Sequence, residues 1–315
     1  MRTAFIEELI AIAAQDSRIW LVTGDLGFSV LEPFAERFPD RYINTGVAEQ
    51  NMVGVAAGLA HSGATVFVYS IANFPTFRCL EQVRNDVCYP QANVTIVSVG
   101  SGFSYGSHGS THHAIEDLAV MRALPGIVVV SPGDPTEARL ATRALADRGG
   151  PAYLRLGKAG ERVVTAFAGE DFTLGRMRCI REGSDVTLIA TGSVLADADA
   201  AADTLAERGI KARVFSAHTM KPFDTGELHA ALSETAGIVT VEEHRLIGGL
   251  RSAVAEALLE SPDRSGRVVR SLGVSPDVKL GTGDQAHLRA ASGIAVHDIA
   301  NAAFAVLGLP GVGGQ

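Results

Sequence analysis

A chain of 315 residues is long enough for about two domains of 100–200 residues each. Its 47% hydrophobic and 20% charged content fits a globular protein with large cores, and a net charge of −8 without any Lys/Arg run argues against nucleic acid as the main ligand. Three scattered cysteines, Cys79, Cys88 and Cys179, form no CxxC pair, which points away from a disulfide frame and towards a reducing, cytoplasmic setting.

The opening stretch MRTAFIEELIAIAAQDSR predicts a helix over 3–15 with Phe5, Leu9 and Ile12 on one face; it is too acidic and too amphipathic for a secretory leader. Short β-branched runs follow at 19–23, 64–69, 93–99, 127–131 and 152–156, with helices predicted between them at 47–61, 75–88, 114–123 and 134–147. The stretch 157–183 breaks this rhythm and reads as a connector with room for a short strand pair. Alternation resumes with strands at 186–191, 212–216, 238–242 and 267–274 and helices at 193–208, 224–235, 247–260 and 293–307, before a frayed tail, GLPGVGGQ. Continuous apolar strands alternating with helices predict an α/β fold of two domains, each a mostly parallel sheet flanked by helices. The expected boundaries are 1–165 and 184–315, joined by a linker at 166–183. No apolar run approaches the roughly 20 residues that span a bilayer, so no membrane partner is expected. No strand is followed by GxGxxG, which leaves a dinucleotide reading without support.

Three stretches carry residues suited to chemistry. The first, GVAEQNMVGVAAGLA (46–60), predicts a helix of small apolar residues with one acid, Glu49, in its first turn, Thr45 as its N-cap and Gly63 as its terminator. By residue type alone, Glu49 reads first as a surface acid that gains about 0.3–1 kcal/mol from the helix dipole. The second, YSIANFPTFRCLEQVRNDV (69–87), sets Phe74 and Phe77 beside Arg78, a combination able to stack a flat ring; burial in the core is the competing reading. The third, GFSYGSHGSTHHAIEDL (102–118), is a glycine-rich loop with His108, His112 and His113, imidazoles that titrate near neutrality. Those histidines have no neighbouring Cys and no evident rigid geometry, so no metal site is expected on them.

Taken together and in order, GVAEQNMVGVAAGLA, EQVRNDV, GSHGSTHHAIEDLAVMRALPGIVVVSPGDPTEA, HTMKPFD (218–224) and VEEH (241–244) resemble the transketolase family, and more narrowly the C-terminal section of a split transketolase. The resemblance runs nearly end to end. It implies a pyrimidine-binding domain followed by the family's C-terminal domain, and thiamine diphosphate as cofactor. The GDG signature of the family's diphosphate-binding domain occurs nowhere in the sequence. The resemblance therefore implies an N-terminal, diphosphate-binding partner subunit, which would hold the Mg2+ or Ca2+ ion, and two copies of each subunit in a heterotetramer.

The resemblance also assigns residues. Glu49 matches the glutamate that hydrogen-bonds N1′ of the aminopyrimidine. Phe74, with Phe77 as second choice, matches the aromatic residue packed on that ring; Asp25 and Arg78 fall near the cofactor. His112 matches the histidine over the reacting centre, with His108 and His113 on the same substrate loop. Arg2, Ser29 and Lys158 match a sugar-phosphate subsite, with Lys in place of an Arg that would bind bidentately. Two departures stand out: His108 where the family has Asp, and Gly100 where it has a phosphate-contacting His. They imply a two-carbon ketol transfer with a non-standard sugar or aldehyde. The competing expectations are the β subunit of a 2-oxoacid dehydrogenase E1, a deoxyxylulose-phosphate synthase, and a non-catalytic regulatory subunit. His218, Lys221 and His244 read as structural or interface residues.

Overall fold

The computed structural model describes residues 1–165, 171–260, 268–277 and 281–311. Residues 166–170 of the expected linker, position 267 of the last expected strand and the final four residues of the tail lie outside the described residues.

In the first half, helices α1 (Arg2–Ala13), α2 (Glu32–Arg37), α3 (Glu49–His61), α4 (Asn73–Thr76), α5 (Leu80–Gln82), α6 (Asp117–Ala123) and α7 (Pro135–Arg148) alternate with strands. Those strands are β1 (Ile19–Thr23), β2 (Tyr42–Asn44), β3 (Thr65–Ile71), β4 (Val94–Val99), β5 (Val128–Val130) and β6 (Ala152–Leu156). The second half contains β7 (Arg178–Arg181), β8 (Val186–Thr191), α8 (Leu195–Ala206), β9 (Ala212–Ser216), β10 (Thr219–Lys221), α9 (Thr225–Glu234), β11 (Gly237–Arg245), α10 (Leu250–Glu260), β12 (Val268–Val274), α11 (Gln285–Ala291) and α12 (Val296–Val306).

Among the described residues, the first sheet runs β10-β5-β6-β4-β3-β1-β2 and the second β12-β11-β8-β9-β7. Every pairing is parallel except β10 on β5 and β7 on β9, each at a sheet edge. Both sheets therefore have the mostly parallel character expected of strands buried on two faces. β4 and β8 show why: all six residues of each are buried.

Two features cross the expected boundaries. β7 lies inside the stretch expected as a linker, yet it pairs with β9 and belongs to the second sheet. β10 comes from the second half and completes the first sheet beside β5. One apolar core likewise runs through both halves, joining Met52, Val53, Val83 and Met121 to Phe215, Met220, Leu228 and Leu250. An apolar interface of this kind holds the two halves in a fixed relation.

The helix expected at 75–88 is interrupted. α4 ends at Thr76, α5 begins at Leu80, and Val83–Cys88 form a π-type turn. The break bears on the site, because Arg78 lies within it. Arg2 begins a formed helix, and the buried Met1 amino group pairs with Glu161 at 2.7 Å.

Polar groups at the joint are fully buried. Asp117 accepts from Arg155 Nε at 2.7 Å and from Tyr153 Oη at 2.6 Å. Arg155 Nη2 donates to the carbonyls of Ala114 at 2.7 Å and Glu243 at 3.1 Å, one from each half. Burial opposes charge on Asp117, but the Arg155 and His244 charges and these hydrogen bonds outweigh it and hold its pKa below the ordinary value. Lys221 donates to the carbonyls of Arg122 and Leu124.

His218 is buried, stacked on Phe172 at 4.0 Å between ring centroids, with Nδ1 against Thr219 Oγ1 at 2.9 Å. Burial, reinforced by the Arg178 charge, pushes its pKa down to about 3. Folded His218 thus stays neutral while the unfolded chain takes up a proton near pH 6.5, so its contribution is present above that pH and is lost as pH falls towards 3. Between pH 7 and pH 5 this one residue accounts for about 2 kcal/mol of lost stability. Urea unfolding of His218→Phe at the two pH values is expected to show a pH dependence smaller by that amount.

Candidate functional site

Helix α3 buries Glu49, Met52, Val53, Ala56 and Ala57, the i, i+3, i+4, i+7, i+8 stripe of a core-facing helix. Glu49 is the first residue of that stripe and only 2% exposed, so the surface-acid reading does not hold. Thr45 is not the N-cap, contrary to expectation. Helix α3 starts at Glu49 after Ala48, and the Thr45 hydroxyl instead donates to the Thr23 carbonyl at 3.1 Å, pinning the end of β1. Gly63 follows the helix end with φ +97°, as a terminator requires. Small size matters nearby: a Cβ on Gly24 would stand 3.4 Å from Glu49 Cγ.

From Glu49 a continuous row of side chains crosses the C-terminal ends of the β1 to β4 strands. Glu49 Oε2 accepts from Arg78 Nη1 at 2.7 Å. The Arg78 guanidinium lies 4.5 Å from the centre of the Phe74 ring. Phe74 meets the His112 ring edge-on at 5.7 Å, and His112 lies 4.9 Å from the His108 ring. Tyr105 stands edge-on to His108 at 5.9 Å and to His112 at 6.4 Å. The Lys158 ammonium sits 5.1 Å from the Tyr105 ring centre. Burial lowers the pKa of His112, with the neighbouring His108 and His113 lowering it further. At neutral pH His112 is therefore a neutral imidazole, able to take or give a proton.

The histidine loop is braced from three sides. Gly102 and Ala114 close its base through two backbone hydrogen bonds of 2.9 Å. Asn73 Nδ2 donates to the carbonyls of Thr111 at 2.9 Å and His113 at 3.1 Å, tying α4 to the loop. Glu243 of β11 accepts the Phe103 amide at 2.5 Å and is itself held by Gln285 and Arg289. Gly102, with φ +60°, is the residue that lets Glu243 come this close, since a Cβ there would lie 2.5 Å from its carboxyl. The second half of the chain thus positions a loop of the first.

The remaining expected residues divide. His113 is turned away from the row: it is 2% exposed, edge-on to Phe103 at 5.3 Å, with Nε2 3.3 Å from the Gly106 carbonyl. In this structure its ring faces Phe103 and the Gly106 carbonyl rather than the His108 and His112 rings. Phe77 is 41% exposed, and Phe74 alone of the two contacts the row. Asp25 and Ser29 lie on the exposed β1–α2 loop, both with positive φ; Asp25 is bonded to Asn44, and its loop lines a cavity of about 210 Å³ with Phe28, Tyr42 and Asn44. The Arg2 charge opposes the rise that burial causes in the pKa of the Tyr69 and Tyr105 phenols. Cys79 donates to the Phe74 carbonyl at 3.2 Å, and burial together with the Glu49 charge pushes its thiol up to about 12.

Sequence reading alone missed Asn73, Tyr105 and Glu243. Tyr105 lies inside the histidine loop, yet nothing local to it announces its contacts.

Two family models match the chain: "Transketolase, pyrimidine binding domain" over residues 1–161 and "Transketolase, C-terminal domain" over residues 175–299. The chain is 42% identical to one of the subunits of the apulose-4-phosphate transketolase of Phocaeicola vulgatus, over 83% of this chain and 84% of that one. It is 39% identical to the 6-deoxy-6-sulfo-D-fructose transketolase subunit SqwH of Clostridium sp. (strain MSTE9) over 83% and 81% of the two chains. It is also 38% identical to the 1-deoxy-D-xylulose-5-phosphate synthase of Thermomicrobium roseum, over 98% of this chain but 48% of that protein. Among solved structures, a split-gene transketolase described as an inactive β4 tetramer superposes with a TM-score of 0.85 at 37% identity, covering 98% of both chains. The chain belongs to the transketolase family, whose members depend on thiamine diphosphate, and carries that family's pyrimidine-binding and C-terminal domains.

Proposed function

We propose that this chain is the pyrimidine-side subunit of a heteromeric transketolase that moves a two-carbon ketol unit from a ketose to an aldehyde or sugar acceptor. One observation carries the reading: a buried carboxylate, an aromatic face and a neutral imidazole stand in one row, Glu49, Phe74 and His112. A flat ring with a basic nitrogen suits that donor set. Phe74 would pack on the aminopyrimidine and Glu49 would hold its N1′. When bound, thiamine diphosphate supplies the nucleophilic carbon that cleaves and reforms the ketose C2–C3 bond. Glu49 holds a proton at the ring nitrogen, and its burial keeps bulk water out of that exchange. His112 exchanges protons with substrate oxygens as the bond breaks. His108, Ser29, Arg2 and Lys158 bind the sugar; Asp25 and Arg78 border the cofactor.

A partner subunit with the diphosphate-binding domain completes the site and holds the divalent cation. The exposed face of α3, where a Cβ on Gly54 or Gly58 would touch nothing within 4 Å, leaves room for close approach of another chain. Two copies of each subunit are proposed, in a closed two-fold assembly; the structural relative is a tetramer of one kind of chain only and is named inactive, as a site that lacks its partner would be. Residues 1–165 form the proposed pyrimidine-side domain, and the C-terminal domain is proposed to begin at β7. The two curated relatives named for unusual sugars support a non-standard substrate here.

Co-expression with a candidate diphosphate-domain chain, followed by donor screening, tests the proposal. Transfer of a glycolaldehyde unit is the expected result. Release of carbon dioxide from a 2-oxoacid would favour the reading as the β subunit of a 2-oxoacid dehydrogenase. In the active complex, the acid limb of kcat/KM is expected below pH 6.5, following the lowered pKa of His112. In His112→Asn, turnover is expected to fall by about 10²-fold and that limb to disappear.

A further inference from the structure

Gly100, at the end of β4, has φ +90°, and a Cβ built on it would stand 2.1 Å from Tyr105 Cε2 and 2.2 Å from Cδ2. The Cδ2–Cε2 edge of the Tyr105 ring therefore points at the backbone of Gly100 and fills the space that any side chain there would need. Members of the row described above surround it: His108 and His112 stand edge-on to the ring and the Lys158 ammonium lies over its face. Burial raises the phenol above its ordinary value despite Arg2, so the ring is uncharged at neutral pH. It stands in the row between His112 and Lys158.

We infer that Tyr105 is a specificity-determining residue, an aromatic wall that uses the space above Gly100 to set the length of the sugar the cleft accepts. The inference rests on the ketol-transfer reading. A rigid ring in a cleft discriminates by volume, and one methylene of misfit changes discrimination by about 10–200-fold. On this inference the wall leaves room for a five-carbon ketose donor and crowds a six-carbon one.

The test takes the donor class found by the screen above and compares its five-carbon and six-carbon members in the reconstituted complex, with one acceptor throughout. Tyr105→Ala is expected to shift the kcat/KM ratio towards the six-carbon donor by at least about tenfold, mainly through KM. Tyr105→Phe keeps the wall and the ratio. Gly100→Ala must displace the ring and is expected to reproduce Tyr105→Ala; should strain at its positive φ prevent folding, Tyr105→Ala decides alone. Calorimetry with the unreactive reduced forms of the same two donors reads the same preference without turnover. An unchanged ratio in Tyr105→Ala, by kinetics and by calorimetry, overturns the inference while leaving ketol transfer intact. A complex that shows the shifted binding preference but moves no ketol unit refutes the reaction and keeps the wall. Absence of both refutes both.

Discussion

Glu49→Gln is expected to lower turnover of the reconstituted complex by about 10²–10⁴-fold, the range of a lost, positioned proton-exchanging group. Glutamine keeps the size of the side chain and can still hydrogen-bond, but it holds no negative charge and exchanges no proton. The substitution removes half of the Glu49–Arg78 ion pair. Arg78 is 48% exposed, so water can solvate it and the stability cost stays within about 1 kcal/mol. Gel filtration should therefore find the same assembly, and unfolding nearly the same midpoint. Turnover within about threefold of the parent would return the chain to the class of non-catalytic subunits.

The largest effect on stability is expected at Arg155. Its side chain is 1% exposed, and the guanidinium joins Asp117 to carbonyls from both halves. Arg155→Met fits the same stem length but strands the Asp117 carboxylate, which is fully buried. Breaking one side of a buried pair costs about 3–5 kcal/mol, and the remaining charge is the reason. Urea unfolding should show that loss at pH 7. The double variant Asp117→Asn/Arg155→Met, with neither charge left, should recover much of it. A loss under about 1 kcal/mol in the single variant would mean that water reaches Asp117 after all. Arg155 also holds Ala114, at the base of the histidine loop, so a raised KM should accompany the lost stability.

Much of this was legible in the chain itself. Central strands such as Val94–Val99 are buried on both faces, so each residue must be apolar or small, and the run is unmistakable. The elements that escaped prediction, β2, β10, α2 and α11, are short, and β7 falls in the stretch read as a connector with room for a short strand pair; β2, β7 and β10 sit at sheet edges, where that demand is weaker. A three-residue strand such as Thr219–Lys221 has no periodicity to read; its partner, β5, lies about ninety positions earlier. Thr45 misled because its residue type suits a cap, while its hydroxyl was claimed by the neighbouring strand. In the site, Glu49, Phe74 and His112 were visible through residue type and through resemblance. Glu243 and Tyr105 were not, because their meaning lies in contacts with Phe103 and Gly100 that no local pattern encodes.

The antiparallel strand that the second half lends to the first sheet has a genetic consequence. A polypeptide severed between β6 and β10 would leave β5 with bare amides and carbonyls along one side, a template for sheet-to-sheet aggregation. Recombination between relatives thus finds no clean seam at the middle of this chain. Any exchange of carboxyl-terminal halves has to bring along a strand that fits Val128–Val130, so the two halves are constrained to evolve as one inherited unit.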